Sequence, residues 1–430
     1  MNRKINVSMV LLSKVSFVIT SLVILFFLSN VLHASILVIS PHPDDDVICA
    51  AGIIYGAVQR QETVNIVYLT NGDLYGGVPL GYQRQTEAVN AATEHLALNE
   101  DNLIFLGYPD GYLETIVSSY TRPEDIFTTG YGQSTTYGNR GLGRTDYHTY
   151  LFGTPAIYNK PNIIGDLKSI IYDKRPSHII VTSYYDTHSD HRVAYELLRD
   201  TLYEIAAQDP GYLPVIHETI IHTGEDWPQP ADPTVCFSEI PNLSATNVDW
   251  SSRESYDVPY IMQSTDYSLN PKFQAIALHA SQGGNNGFLG RFLHKDEIFW
   301  ARNILGPNRP PVVNAGNDQV VQPGTSVQLD GSMSFDPDGN GLTYQWQQVS
   351  GIPITLSDDT SARPSFTIPS GLEQNQLFSF QLIINDGQFS SLPDTVMVLA
   401  LADQVPPPVT YDNIAPLATV TASSQTTAYQ

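Results

Sequence analysis

The chain has 430 residues, 42% of them hydrophobic, with 44 acidic side chains against 21 basic ones and a formal net charge of −23. That balance excludes nucleic acid and anionic lipid surfaces as natural partners, because both are bound through a positive footprint. Two cysteines, Cys49 and Cys236, are too few for a disulfide framework, and at roughly 150 residues per domain the length allows two or three domains.

Arg3, Lys4 and Lys14 precede the apolar run VSFVITSLVILFFLSNVLHA. A basic region followed by a hydrophobic one reads as a signal peptide or an uncleaved N-terminal anchor over residues 1–34. Either way the protein is expected outside the cytoplasm: secreted, periplasmic or on the cell surface. Cleavage near Ala34 is favoured, since a strand begins at once at Ile36 and a central strand cannot sit directly against hydrocarbon.

From Ile36 to about Gly306 strand-like and helix-like segments alternate. ILVIS is an apolar strand and VICAAGIIYGAVQRQ a helix. TVNIVYLT is a strand, YQRQTEAVNAATEHLAL an amphipathic helix and NLIFLGY a strand. NIIGDLKSIIYDKR is a helix closed by Pro176, HIIVTSY a strand, HRVAYELLRDTLYEIAAQ a helix and VIHETIIH a strand. Apolar strands alternating with helices predict a Rossmann-like α/β domain over 35–306, a mostly parallel sheet with helices on both faces. Such sheets place ligands beyond the carboxyl ends of their strands. PHPDDD follows the first strand, NGD the second, GYPDG the third and YYDTHSDHR the fourth, so the polar clusters converge on one edge. Residues 111–161 are rich in Tyr, Thr and Gly without clear periodicity. A stretch of that length and aromatic content suits a substrate-facing loop.

The proline-rich GPNRPPVVNAG marks a boundary. Short alternating strands follow, separated by turn signals, and predict an immunoglobulin-like all-β sandwich over 307–401. Within it DPDGNG matches the start of a calcium loop and offers Asp336, Asp338 and Asn340 as Ca2+ ligands. No glutamate stands at the twelfth position, so a plain turn is expected instead. A second proline-rich stretch opens the segment 402–430.

The acidic cluster Asp44-Asp45-Asp46 lies between two apolar segments. Burying like charges is costly unless a cation compensates. His42 and Asp45 offer a nitrogen and an oxygen on one turn, and His188 and His191 lie three apart at a helix start. Two histidines and a carboxylate with an open fourth position form a common catalytic zinc arrangement. Each cluster alone also suits a helix N-cap; their convergence on one sheet edge favours the metal. His95, His178, His217 and His222 fall within predicted elements and are expected to pack or face solvent. Cys49 is expected to pack as a small hydrophobe. His148 in the long loop and His279 in ALHASQ are candidates for substrate contact.

Over roughly Ile36 to Trp300 the chain resembles the PIG-L/LmbE-like zinc de-N-acetylases. The likeness rests on His42-Pro43-Asp44-Asp45 after a strand and on the later His188-Ser189-Asp190-His191. TNGD, the Arg84 and Glu87 pair, GYPDG and Ser281-Gln282 add to it. The resemblance implies one Zn2+ held by His42, Asp45 and His191. It makes Asp44 the general base, and His188 the group that stabilises the oxyanion or protonates the amine. Asn71, Arg84 and Asp110 join His148 and His279 as candidate substrate-binding residues. The residue after the Asp pair is commonly Glu and here is Asp46; the one before the His is often Ala and here is Pro41. The sandwich resembles PKD or REJ-type modules through FDPDGNGLTYQWQQVSG and LIINDG. The tail NIAPLATVTASSQ looks like the start of a discoidin-like carbohydrate-binding domain.

The expected activity is zinc-dependent removal of acetyl from an N-acetylated amino sugar or glycoconjugate, with surface glycans as partners for the C-terminal modules. A metal-dependent O-acetyl esterase and an inactive surface adhesin are the alternatives. The adhesin requires a missing ligand, and all three ligands and the base are present. N-terminal sequencing of the exported protein is expected to begin near Ser35. A chain starting at Met1 in the membrane fraction would show retention as an anchor.

Overall fold

The computed structural model describes residues 34–402 except 225–226, 242 and 244–247. The N-terminal apolar run and the discoidin-like tail lie outside these residues. Among the described residues no helix is long and apolar enough to cross a membrane.

Strand β1 (Ser35–Ser40) is the centre of the first domain. Successive strand residues face opposite sides, so Ile36 and Val38 enter one core while Leu37 and Ile39 enter the other. The helix expected after it is two, α1 (Asp45–Cys49) and α2 (Ala51–Gln59), broken at Ala50, whose φ is −140°. Next come β2 (Thr63–Thr70), α3 (Gly77–His95) and β3 (Leu103–Tyr108). The stretch 111–161 is not structureless: it holds α4 (Leu113–Ser119) and α5 (Tyr147–Phe152), both too short for a periodic signal. Then follow α6 (Lys160–Lys174), β4 (His178–Thr182), α7 (Ser189–Ala206) and β5 (Val215–Thr219). The expected strand VIHETIIH therefore stops after five residues. Two strands that sequence periodicity does not mark, β6 (Glu254–Asp257) and β7 (Asp296–Arg302), flank α8 (Pro271–Leu278).

The sheet runs in the order β3-β2-β1-β4-β5-β7-β6. Its first five strands are parallel, and β7 and β6 are added antiparallel. The mostly parallel sheet covered on both faces is as expected; the antiparallel edge is the addition. Helices α1, α2 and α3 pack on one face, α6 and α7 on the other.

The second domain is a β-sandwich. One sheet holds β10 (Thr343–Ser350), β12 (Gln376–Asn385), β13 (Asp394–Ala400) and β8 (Gln319–Val321); the other pairs β11 (Ser365–Thr367) with β9 (Ser326–Gln328). Phe366, Phe378, Phe380 and Trp346 fill its interior. Asp336 Oδ1 accepts the backbone N–H groups of Asp338 and Asn340, both at 2.9 Å. Asp338 pairs with Arg309 at 2.8 Å. Asp336 Oδ1 and the Asp338 carboxylate are thus engaged in closing a turn.

The proline-rich stretch does not hold the two domains apart. Phe389 of the sandwich packs against Val215 and Ala301. Lys295 Nζ lies 2.7 Å from Asp257 Oδ2 and 3.5 Å from Asp318 Oδ2, one carboxylate from each domain. Edge strand β6 meets β13, so the sandwich covers an edge that would otherwise expose unpaired backbone groups. Truncation after Pro307 is expected to lower the thermal midpoint while turnover of small soluble substrates persists. An unchanged midpoint by calorimetry would show that the docking contributes nothing.

Candidate active site

In the strand order the chain crosses from β3 over β2 and β1 to β4. The connections after β1 and β4 therefore leave in opposite directions, and a crevice opens beyond their carboxyl ends. The two motif clusters enter it from these two strands. Ser40 Oγ donates to His42 O at 2.7 Å and accepts the Asp46 N–H at 3.2 Å, pinning the turn after β1. Asp45 Oδ2 accepts the His42 backbone N–H at 2.8 Å. From the other side, His188 caps α7 and His191 lies in its first turn, its carbonyl accepting from Thr182 Oγ1 at 3.0 Å.

Three atoms converge. His42 Nδ1 is 3.2 Å from Asp45 Oδ2, His191 Nε2 is 3.3 Å from the same oxygen, and the two nitrogens are 3.1 Å apart. Ligand atoms ~2.0–2.1 Å from a tetrahedral zinc stand about 3.3 Å from one another, so this triangle matches one face of such a site. The far nitrogen of each ring meets a carboxylate: His42 Nε2 is 3.1 Å from Asp110 Oδ1, and His191 Nδ1 is 3.2 Å from Asp186 Oδ2. An N–H held outward leaves the inner lone pair for a metal, the usual orientation of ligating histidines. Burial opposes protonation of both rings, yet surrounding carboxylates outweigh it. Asp110 leads in pushing His42 up, and Asp45 and Asp186 push His191 up to about 10. A surround that draws protons onto two buried imidazoles favours a metal cation for the same reason. The donor set therefore fits zinc.

Asp44 has a different environment. Its carboxyl faces the pocket, and burial, followed by the charge of Asp45, pushes it up to about 7. A carboxyl near neutrality suits proton transfer at physiological pH. Asp46 points back to the core and accepts from Tyr68 OH at 3.0 Å; burial also pushes it up to about 7. His188 is pushed down to about 4, first by burial and then by the positive charge of His42 and His191. It therefore enters the pocket as a neutral imidazole able to donate an N–H.

These groups open into a pocket of about 290 Å³ whose rim includes Arg84, Tyr75, His222, Gln282 and Phe288. Arg84 Nη1 lies 3.8 Å from Asp110 Oδ2. Its side chain passes over Gly72 (φ +67°), where a Cβ would meet Arg84 Cδ at 2.6 Å. Glu87, one turn on, accepts from the backbone N–H and Oγ of Ser281 at 3.1 and 2.7 Å and holds the Gln282 loop.

Of the candidate residues, His42, Asp44, Asp45, Arg84, Asp110 and His188 line the pocket, with His191 directly beneath. Three do not. Asn71 is fully buried: its amide donates to Tyr137 O at 3.0 Å and accepts from Gln85 Nε2 at 2.8 Å, so it braces the fold. His148 Nδ1 is 2.8 Å from Asp166 Oδ1, in a pair outside the pocket. His279 is fully buried, and burial pushes it down to about 4. Cys49 is buried and Cys236 exposed, both free.

Sequence reasoning missed Asp186, Asp190 and His222. For the two aspartates a signal was present in the motif itself: Asp186 precedes His188 by two residues and Asp190 adjoins His191. Asp190 accepts from the Gly111 and Leu113 N–H groups at 2.7 and 3.2 Å and lies 3.5 Å from His42 Nε2. Asp186 Oδ1 accepts the His188 N–H at 2.9 Å, and its Oδ2 accepts those of Ile221 and His222 at 2.8 and 3.0 Å. His222, expected to pack or face solvent, instead stacks its ring on Phe288 at 5.1 Å and walls the pocket.

Residues 37–202 match the family model PIG-L: GlcNAc-PI de-N-acetylase, and residues 315–399 match the model of a PKD domain. No curated protein sequence matches the chain. Among solved structures, N,N'-diacetylchitobiose deacetylase from Pyrococcus horikoshii is 17% identical, covering 63% of this chain and 85% of that one at a TM-score of 0.38. The conserved protein TT1542 from Thermus thermophilus is 16% identical, covering 62% and 94% at 0.38. The antimicrobial A40926 pseudoaglycone deacetylase Dbv21 is 16% identical, covering 64% and 100% at 0.36.

Asp186→Asn keeps the size of the side chain but weakens its grip on His191. Metal affinity, measured by competition with a chelator, is expected to fall about 10- to 100-fold, the usual cost of losing such a partner. Unchanged affinity would show that the His191 ring is held by packing alone.

Proposed function

We propose that the first domain is a zinc-dependent amide hydrolase that removes the acetyl group from an N-acetylated amino sugar or glycoconjugate outside the cytoplasm. The observation that carries this reading is the triangle of His42 Nδ1, Asp45 Oδ2 and His191 Nε2 with the Asp44 carboxyl beside it on the pocket side. The match of residues 37–202 to a de-N-acetylase model supports the reaction class, and the basic-then-apolar N-terminus supports export.

A zinc ion held by His42, Asp45 and His191 would supply a Lewis acid and acidify a water. Asp44 accepts that water's proton, for which its raised affinity for protons prepares it. His188, neutral and on the opposite wall, donates an N–H to the oxygen that becomes negative as the amide carbon turns tetrahedral. Proton delivery to nitrogen expels the amine and leaves acetate. Arg84 and Asp110 on the rim suit sugar hydroxyls, one as donor and one as acceptor.

The adjacent carboxylates should fail in different ways. Asp45→Ala leaves two protein ligands, and zinc content by atomic absorption is expected to collapse with activity. Asp44→Asn is expected to keep its zinc while kcat falls by roughly 10² to 10⁴, the usual contribution of a positioned base. Asp44→Asn losing zinc while Asp45→Ala keeps it would reverse the roles. Acetate release from N-acetylated against O-acetylated sugars separates the amidase from an esterase.

The pH dependence follows from Asp44. Its protonated form cannot act as base, so kcat/KM of the zinc-loaded enzyme is expected to fall with decreasing pH. The cation opposes protonation, placing the midpoint at or below about 7. A rate that rises on acidification through this range would exclude Asp44 as the base.

A further inference from the structure

Behind the rim of the catalytic pocket lies an imidazole to which the reaction gives no task. His279, just after α8, is fully buried, and burial keeps it neutral. The Pro43 carbonyl and the Gln282 side chain lie beside its ring. Both ring nitrogens and Gln282 Oε1 are buried, and none of the three has a partner in good hydrogen-bond geometry. An orphaned buried polar atom is costly, so three together call for an arrangement that satisfies them.

The chemistry of the groups supplies one. A neutral imidazole offers one N–H and one lone pair. A carbonyl only accepts, so the N–H goes to Pro43 O. The lone pair is left for Gln282, and the amide end that serves it is Nε2, since the hydrogen bonds of an amide decide which way it faces. With Nε2 turned to His279, Oε1 faces the catalytic pocket, which Gln282 lines. The backbone around it is pinned. The Ser281 N–H and Oγ both donate to Glu87, and the Gln282 and Gly284 N–H groups donate to His279 O at 3.0 and 3.1 Å. The amide is thus held one imidazole away from the carbonyl that precedes Asp44.

The other acceptors of the pocket have tasks. Asp45 Oδ2 is shared by His42 and His191, and Asp110 Oδ1 lies 3.1 Å from His42 Nε2. Asp44 is placed as the base. Gln282 Oε1 is an uncharged acceptor on the Asp44 side, left for the substrate. A secondary acetamide brings an N–H that loses its water on entering the pocket; an acetate ester brings a lone pair at the same place. An acceptor there suits the first and repels the second, and sites that hydrogen-bond a substrate N–H reject analogues lacking it.

We propose that Gln282, oriented by His279, selects N-acetyl over O-acetyl groups by accepting the acetamide N–H. This rests on the de-N-acetylase reading and names the residue that sets its choice of bond. His279 acts through Gln282 and is a positioning residue.

The probes are N-acetylglucosamine, its N-methyl derivative and glucose acetylated at O2, with acetate release measured on the zinc-loaded full chain. Gln282→Met, close in length but without an acceptor, is expected to lower kcat/KM on N-acetylglucosamine about 10- to 100-fold. On the O-acetyl sugar its rate stays the same or rises. Gln282→Glu, which keeps an oxygen at that place, is expected to retain the ratio between the two sugars, and zinc content is expected to be unchanged in both variants. Equal falls on both sugars in Gln282→Met, or an unchanged ratio, refute the role while the deacetylase reading stands. Wild type alone gives a second test that no folding defect can blur. It is expected to prefer the N–H acetamide over the N-methyl one by a similar factor, and equal rates on these two overturn the inference. If neither acetamide releases acetate, the de-N-acetylase reading fails, and the role of Gln282 falls with it.

Discussion

Three lone-pair donors, His42 Nδ1, Asp45 Oδ2 and His191 Nε2, are held 3.1 to 3.3 Å apart in a buried crevice. Without a shared cation or proton such an arrangement is repulsive and poorly solvated. Much of the local structure serves to maintain it. The sheet order brings the ends of β1 and β4 together. Asp110 and Asp186 lie 3.1 and 3.2 Å from the outer ring nitrogens of His42 and His191. Asp186 in turn is fixed by backbone N–H groups of Ile221 and His222, beyond the neighbouring strand. The antiparallel strands β6 and β7 widen the sheet on that side, and buried Lys272 pairs with Glu297 of β7 at 2.7 Å. Glu297 also accepts the N–H groups of Gly52 and Ile53 at 2.8 and 3.1 Å, anchoring the helix pair that carries the acidic cluster.

The cluster Asp44-Asp45-Asp46 shows how one short sequence acquires three chemistries. Successive residues at a helix start point about 100° apart. Asp45 turns to the histidines; burial opposes its charge, but His191 outweighs that and holds it well below the usual carboxylate range. Asp44 turns to the pocket, where burial and its charged neighbour favour the proton. Asp46 turns to the core and meets Tyr68. Like charges are tolerated side by side because each faces a different partner: the histidines, the open pocket and Tyr68 OH. His188, a few residues from His191 in sequence, differs from it through its surroundings. Burial and the two neighbouring charged rings drive the proton off His188, whereas Asp45 and Asp186 hold one on His191.

The sandwich completes the sheet's exposed side. The edge strand β6 meets β13 of the sandwich, Lys295 reaches Asp318, and Phe389 packs on Val215 of β5 and Ala301 of β7. Asp394 of β13 is pushed up to about 7 by burial first and then by Asp257 and Asp318, so a proton on it relieves repulsion among acidic side chains of both domains. The linker is thus a short connection between packed bodies rather than a spacer.

Fold class and most of the site are legible in the residue pattern. Continuous apolar strands alternating with helices can be buried only in a covered parallel sheet, and a polar cluster after each strand must then fall on one edge. That argument places His42, Asp44, Asp45, His188 and His191 together from spacing alone. Packing decided what periodicity does not encode. It made Asn71 a brace, because both ends of its amide found internal partners, and it paired His148 with Asp166 away from the crevice. It brought in His222 from beyond the end of β5 and Asp186 as the shared partner of two histidines, because their roles depend on contacts between strands distant in sequence. It also set Tyr131 over Gly77, a contact between distant parts of the chain that no local pattern announces. The order of residues dictates which faces are apolar; the assembled sheet alone dictates which polar groups face one another.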